Sequence, residues 1–97
     1  MDVISLELAF EWDEGNKEKN KIKHQVLPSE AEEMFQNMPL LVNEDEKHSI
    51  KEKRYQALGK TDRGRMLFAS FTLRGKALRV ISVRNMSRKE KNIYEKA

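Results

Sequence analysis

Arg54, Arg65, Arg74, Arg79 and Arg84 stand at the ends of extended apolar runs, and Arg88 follows just beyond the last of them. A guanidinium presents a rigid fork of N–H donors that matches phosphate oxygens two at a time. A sheet face left uncovered and rimmed by such groups could grip a folded-back RNA backbone. Each arginine taken singly also fits the role of a solvated gatekeeper that keeps a strand edge from aggregating. Tyr94, six residues after Arg88, offers a phenol that could exchange a proton near an arginine-held phosphate. Beside Ile93, with Ala97 one turn on, it reads equally as a half-buried aromatic packing a helix. His24 has two readings as well, an imidazolium stabilised by a helix C-terminus or a contact to phosphate. His48, in the charged loop Glu44–Ser49, is expected to be exposed. Phe10 and Trp12 are expected in the core rather than as base-stacking platforms.

Charge supports a polyanion partner. From Lys47 to Ala97 there are fifteen basic residues against four acidic ones, while the first 46 residues hold four lysines against twelve carboxylates. A net charge of +3 therefore joins a segment near +11 to one near −8. A single-sign basic patch is the footprint of phosphate binding, because each neutralised phosphate releases a counterion. The alternative is that the two segments neutralise each other within the fold.

Composition narrows the class. A chain of 97 residues, 38% hydrophobic and 36% charged, is expected to form one heavily charged globular domain with a modest core. No apolar stretch is long enough to span a membrane. The acidic start MDVISLELAF is unlike a signal peptide, and the absence of cysteine fits a reducing compartment. Two histidines and no thiolate leave no zinc set, so neither metal nor cofactor is expected. No Gly-rich phosphate loop, Ser/His/Asp order or framed carboxylate pair is present, which speaks against hydrolases of those types and nucleotide-binding enzymes.

The elements that must position these groups follow from periodicity. Leu6–Trp12 alternates as a short strand, and Asp13 caps a polar helix from about Glu14 to His24. Ser29-x-x-Glu32 reads as a capping box opening a second helix, whose Ala31, Met34, Phe35 and Met38 form one apolar stripe before Pro39. Extended runs follow at Leu40–Asn43, Lys53–Leu58 (bounded by Gly59), Arg65–Leu73 and Leu78–Arg84. Short connections at Lys60–Gly64 and Arg74–Lys76 make the last three an antiparallel meander. Along the third of these runs Leu67, Ala69, Phe71 and Leu73 share a side. Along the last, Arg79, Ile81 and Val83 alternate with Leu78, Val80, Ser82 and Arg84. Ser87-x-x-Glu90 is a second capping box that opens a final helix. The expected class is α+β, with helices on one face of an antiparallel sheet of about four strands and a C-terminal helix.

Several stretches together resemble the BrnT family. They are Phe10-Glu-Trp-Asp-Glu, then Lys17, Asn20, Lys23-His24, Val26, Glu30-Ala31 and Phe35. Asp45-Glu-Lys-His-Ser49, Glu52, Arg54-Tyr-Gln-Ala-Leu-Gly59 and Phe71-Thr-Leu-Arg74 continue the match. Arg79-Val-Ile-Ser-Val-Arg84, Ser87-Arg88-Lys-Glu90 and Tyr94 complete it. The resemblance implies one RelE-like domain over residues 1–97 and a cytoplasmic ribonuclease toxin of a type II toxin–antitoxin system. It implies a BrnA-like ribbon-helix-helix antitoxin as partner, in a heterotetramer that reaches operator DNA only through the antitoxin. RelE-like toxins place an arginine at the start of the penultimate strand, another after the last strand, and a tyrosine beyond. Arg65, Arg88 and Tyr94 match those places, and Arg84 joins them as a strand arginine. The expected reaction is metal-independent, with a 2′-hydroxyl attacking the adjacent phosphate. Arg65, Arg84 and Arg88 would hold that phosphate, Tyr94 or a histidine would move the proton, and Arg54, Lys60, Arg79 and His24 would contact RNA. The rival expectation is a non-catalytic basic module that docks an acidic protein or RNA.

Overall fold

The computed structural model of the chain describes residues 9–12, 15, 18–20 and 24–97. Five strands make one sheet: β1 (Ala9–Glu11), β2 (Leu41–Glu44), β3 (Tyr55–Lys60), β4 (Met66–Arg74) and β5 (Ala77–Asn85). Their order is β1-β5-β4-β3-β2. The expected meander is present, with β3, β4 and β5 paired antiparallel through short connections. The expectation of about four antiparallel strands is corrected: β1 adds a fifth, parallel to β5, with Phe10 opposite Leu78. Alternation marks Phe10 and Trp12 as inward-facing but carries no strand direction. The long connection between β1 and β5 permits the parallel choice that a tight hairpin forbids. Leu6 to Leu8 lie outside the described residues. So does much of the expected Glu14–His24 helix, of which Gly15, Glu18, Lys19 and Asn20 are helical and His24 stands at a bend.

One face of the sheet carries the core. Leu67, Ala69 and Phe71 of β4, Ala57 of β3 and Leu78, Val80 and Val83 of β5 are buried with Val26, Ala31, Met34 and Phe35. Phe35 meets the Phe71 ring edge-on at 5.1 Å, and Tyr55 stacks on the same ring at 5.5 Å. Such pairs add roughly 0.5–1.5 kcal/mol each beyond the area they bury. Phe10 and Trp12 pack against this cluster, as their spacing indicated. The Trp12 indole N–H donates to Glu32 Oε2 at 2.9 Å.

The helix bearing Ala31 runs from Pro28 to Met34. It opens two residues earlier than Ser29-x-x-Glu32 implied, with Leu27 in place of Ser29 as the N-cap and Pro28 at the first helical position, where a missing N–H costs nothing. Glu30, not Glu32, turns back to accept the Leu27 N–H, at 3.0 Å. Met38, expected on the core stripe, lies beyond the helix end and is 79% exposed. The second capping box forms as read: Ser87 Oγ accepts from the Glu90 N–H at 3.2 Å and Glu90 Oε1 from the Ser87 N–H at 2.8 Å. It opens the C-terminal helix, Arg88–Glu95.

β3 runs through Gly59 instead of stopping there. A Cβ at Gly59 would stand 2.8 Å from the Met34 carbonyl oxygen, so only glycine lets the sheet and this helix approach so closely. The alternation expected along the last strand also fails at one place. Phe71 pairs with Val80 while Ser70 pairs with Ser82, so Ile81 is an extra residue, a bulge. The inward set of β5 is accordingly Leu78, Val80 and Val83.

Candidate functional site

The sheet face away from the core carries Gln56, Leu58 and Lys60 of β3, Met66, Phe68 and Ser70 of β4, and Arg79, Ser82 and Arg84 of β5, all half-buried. The arginines sort to its two ends.

At the end where β4 begins and β5 finishes stand Lys60, Arg65, Arg84 and Arg88. Arg65 is bonded to four residues of the fold. Its Nε donates to Asn85 Oδ1 (2.8 Å), its Nη1 to the Gln25 carbonyl (3.0 Å) and both Glu30 oxygens (3.1 Å each), and its Nη2 to the His24 carbonyl (3.4 Å). It thereby braces a segment in which Gln25 sits at φ 55°, a left-handed conformation that a non-glycine residue keeps only when held. Partial burial works against ionisation of Glu30, but the Leu27 N–H and the Arg65 guanidinium outweigh it and hold its pKa below 4.5. Arg84 lies 4.1 Å over the Phe68 ring and donates to Glu90 from Nη1 and Nη2, at 2.8 and 3.0 Å. Arg88 is exposed on the first turn of the C-terminal helix, and its side chain makes no hydrogen bond or ion pair among the described residues. Lys60 offers its carbonyl to Asn37 Nδ2 at 3.0 Å.

Tyr94 lies on the C-terminal helix with its ring turned into the protein. It is 5% exposed, and its hydroxyl donates to the Pro39 carbonyl at 2.6 Å. Burial raises its pKa above 10.0, so the phenol holds its proton more tightly than in water.

At the opposite end, where β3 and β5 begin and β4 finishes, stand Arg54, Arg74 and Arg79. Arg74 donates to Glu52 from Nε and Nη2, at 2.9 and 3.3 Å. That bond, with attraction from Arg74, Arg79 and Arg54, holds Glu52 below 4.5. Thr72, opposite Arg79, is fully buried, and its hydroxyl has no hydrogen-bond partner among the described residues. Arg54 lines a cavity of about 340 Å³ with His48, Ile50, Lys51 and Glu52.

His48, expected merely as exposed, is more constrained than that. Its Nδ1 lies 2.9 Å from Asp45 Oδ2, and its ring remains 57% exposed. The bond to His48 holds the Asp45 carboxyl below 3.8, against a smaller burial effect. The Asp45–His48 spacing on one tight 3-10 turn was the available signal, and it was obscured by the many charges around it. Glu30, Glu52 and Glu90 were also missed as arginine partners; only Glu90, inside a capping box, had a pattern that could have found it.

Among the described residues Arg65–Glu30 and His48–Asp45 join the two charge segments, while Arg74–Glu52 and Arg84–Glu90 lie inside the basic one. Also among the described residues, no three His, Asp or Glu side chains gather as a metal site would need, and no helix is long and apolar enough to cross a membrane.

A family model described as ribonuclease toxin, BrnT, of type II toxin-antitoxin system matches residues 12–90. No curated protein matches the chain. Among solved structures, the crystal structure of the Brucella abortus ribonuclease toxin BrnT is similar, with a TM-score of 0.63 and 24% identity over 84% of this chain and 99% of that one. At that identity the likeness is one of fold.

Proposed function

The chain belongs to the BrnT family of ribonuclease toxins of type II toxin–antitoxin systems, and we propose that it is an endoribonuclease that arrests translation by cutting RNA without a metal ion. The observation that carries this reading is the family match over residues 12–90; the two arginine-bearing ends of the sheet face away from the core support it. In the reaction the 2′-hydroxyl attacks the adjacent phosphate, and guanidinium groups stabilise the charge that develops there. Arg84 and Arg88 with Lys60 at one end, and Arg54 and Arg79 at the other, serve the RNA backbone. Arg65 acts through position, fixing the segment that carries His24, and Tyr94 anchors the C-terminal helix. The domain, residues 1–97, is read as RelE-like and cytoplasmic. Its partner is read as a BrnA-like ribbon-helix-helix antitoxin, bound in a heterotetramer that contacts operator DNA through the antitoxin.

The test is induced expression in cells lacking an antitoxin gene, with total RNA profiled and the cleavage repeated in lysate containing EDTA. Growth arrest with fragments ending in 2′,3′-cyclic phosphate, formed with or without EDTA, is expected. Intact RNA would remove the enzyme reading and leave the non-catalytic binding module.

A further inference from the structure

We propose that His48 is the base that takes the 2′-hydroxyl proton, oriented by Asp45 and working beside Arg54; this rests on the ribonuclease reading above. A metal-free cleavage of this type needs a proton acceptor next to a cation. At the end of the sheet holding Arg65 and Arg84 both guanidiniums are bonded to carboxylates, and the Tyr94 hydroxyl donates to Pro39 in a buried position. The opposite end has the missing group.

Asp45 Oδ2 and His48 Nδ1 are 2.9 Å apart. With an ionised carboxylate as acceptor, Nδ1 carries the hydrogen and Nε2 is left as the basic nitrogen, the arrangement by which a carboxylate orients an imidazole base. Asp45 is itself fixed. Its side chain is 12% exposed, and its N–H donates to the Arg54 carbonyl at 2.7 Å. Ser49 closes the loop, its Oγ donating to the Asp45 carbonyl at 2.7 Å and accepting from the Arg54 N–H at 2.9 Å. The same staple therefore sets His48 and Arg54 relative to each other, and both line the same cavity, with Lys51 beside them.

The substrate class is a single-stranded RNA phosphodiester. His48 Nε2 accepts the 2′-hydroxyl proton as that oxygen bonds to phosphorus. The bond from phosphorus to the 5′-oxygen breaks, and the departing oxygen takes a proton from solvent. A 2′,3′-cyclic phosphate and a 5′-hydroxyl result, and the imidazolium returns its proton to solvent. Arg54 stabilises the phosphate oxygens while the charge builds. Asp45 is a positioning residue.

The full chain is added to a cell-free translation extract programmed with one mRNA, which supplies both free and ribosome-bound RNA, and the cyclic-phosphate fragments are followed with time. His48→Ala is expected to slow cleavage by about 10²–10⁴-fold, with added imidazole restoring part of the rate. Asp45→Asn should lose less and gain nothing from imidazole. Unchanged thermal unfolding separates these effects from misfolding, and His48→Gln, which can still donate to Asp45, replaces His48→Ala if the latter does not fold. Cleavage by His48→Ala at the wild-type rate, or a loss that imidazole does not relieve, overturns the proposal and leaves the ribonuclease reading standing. A wild-type chain that leaves the mRNA intact overturns both.

Discussion

Arg84 and Glu90 face each other across the junction of β5 and the C-terminal helix, guanidinium to carboxylate, through hydrogen bonds of 2.8 and 3.0 Å. The same carboxylate accepts the Ser87 N–H at the helix start, at 2.8 Å. One side chain thus caps a helix and holds an arginine flat over Phe68. Glu90→Ala removes both functions and should lower unfolding free energy by about 1–2 kcal/mol. The midpoint of urea unfolding measures it; an unchanged midpoint would mean that neither bond stabilises the helix in solution.

Arg65→Ala should destabilise more than any other single arginine truncation, by about 2 kcal/mol or more. Its guanidinium serves acceptors on three separate segments, and Glu30 would lose its charged partner. Growth inhibition by this variant is expected to fall in step with its folded fraction. A fully folded Arg65→Ala that has lost toxicity would instead place Arg65 at the phosphate.

Gly59→Ala sets a Cβ 2.8 Å from the Met34 carbonyl oxygen and 3.1 Å from Leu40 Cδ1. The first contact is backbone and can yield only if the helix shifts. A loss of about 1–3 kcal/mol is expected, read from thermal or denaturant unfolding.

Tyr94→Phe deletes the hydroxyl that donates to Pro39 while keeping the ring in place. About 1 kcal/mol of stability should go, with cleavage per folded molecule retained. A rate that collapses while the unfolding curve shifts only slightly would return Tyr94 to proton transfer.

Stability should decline toward both ends of the pH scale. Glu52 and Glu90 ionise below 4.5 in the folded chain, chiefly because Arg74 and Arg84 bond to them. The unfolded chain takes up those protons first, so the stabilisation present above pH 4.5 is lost as pH falls through the folded values. Tyr94 has the opposite sign: burial raises it above 10.0, so its contribution is present below that pH and lost as pH rises. Urea midpoints at pH 3.5, 7 and 10.5 test this, and a midpoint highest at pH 3.5 would contradict it.

What could be read from the residues was local. The Ser87–Glu90 cap, the meander and the buried stripe of Ala31, Met34 and Phe35 depend on neighbours in sequence or on a simple period, and they appear as expected. The direction of β1, the early start of the Pro28–Met34 helix and the passage of β3 through Gly59 depend on what lies opposite, which no period encodes. The candidate site divides in the same way. Arginine positions were visible, but their partners Glu30 and Glu52 lie 35 and 22 residues away. Without them an arginine already bonded to a carboxylate, such as Arg65, cannot be told from one whose guanidinium has no acidic partner.

The extra residue in β5 settles on which side of the protein two of its arginines work. Arg79 and Arg84 are separated by an odd number of steps, which in an unbroken strand would send them to opposite surfaces. Ile81 resets the count, so Arg79 beside Thr72 and Arg84 beside Phe68 share one surface. Deleting Ile81 would leave four steps between the two arginines, so an unbroken strand would keep both on the same surface with Leu78, Val80 and Val83 still inward. In this strand the spacing between the arginines is inherited information as much as their identity. A relative with both arginines but an even number of steps between them would reach the same surface without a bulge.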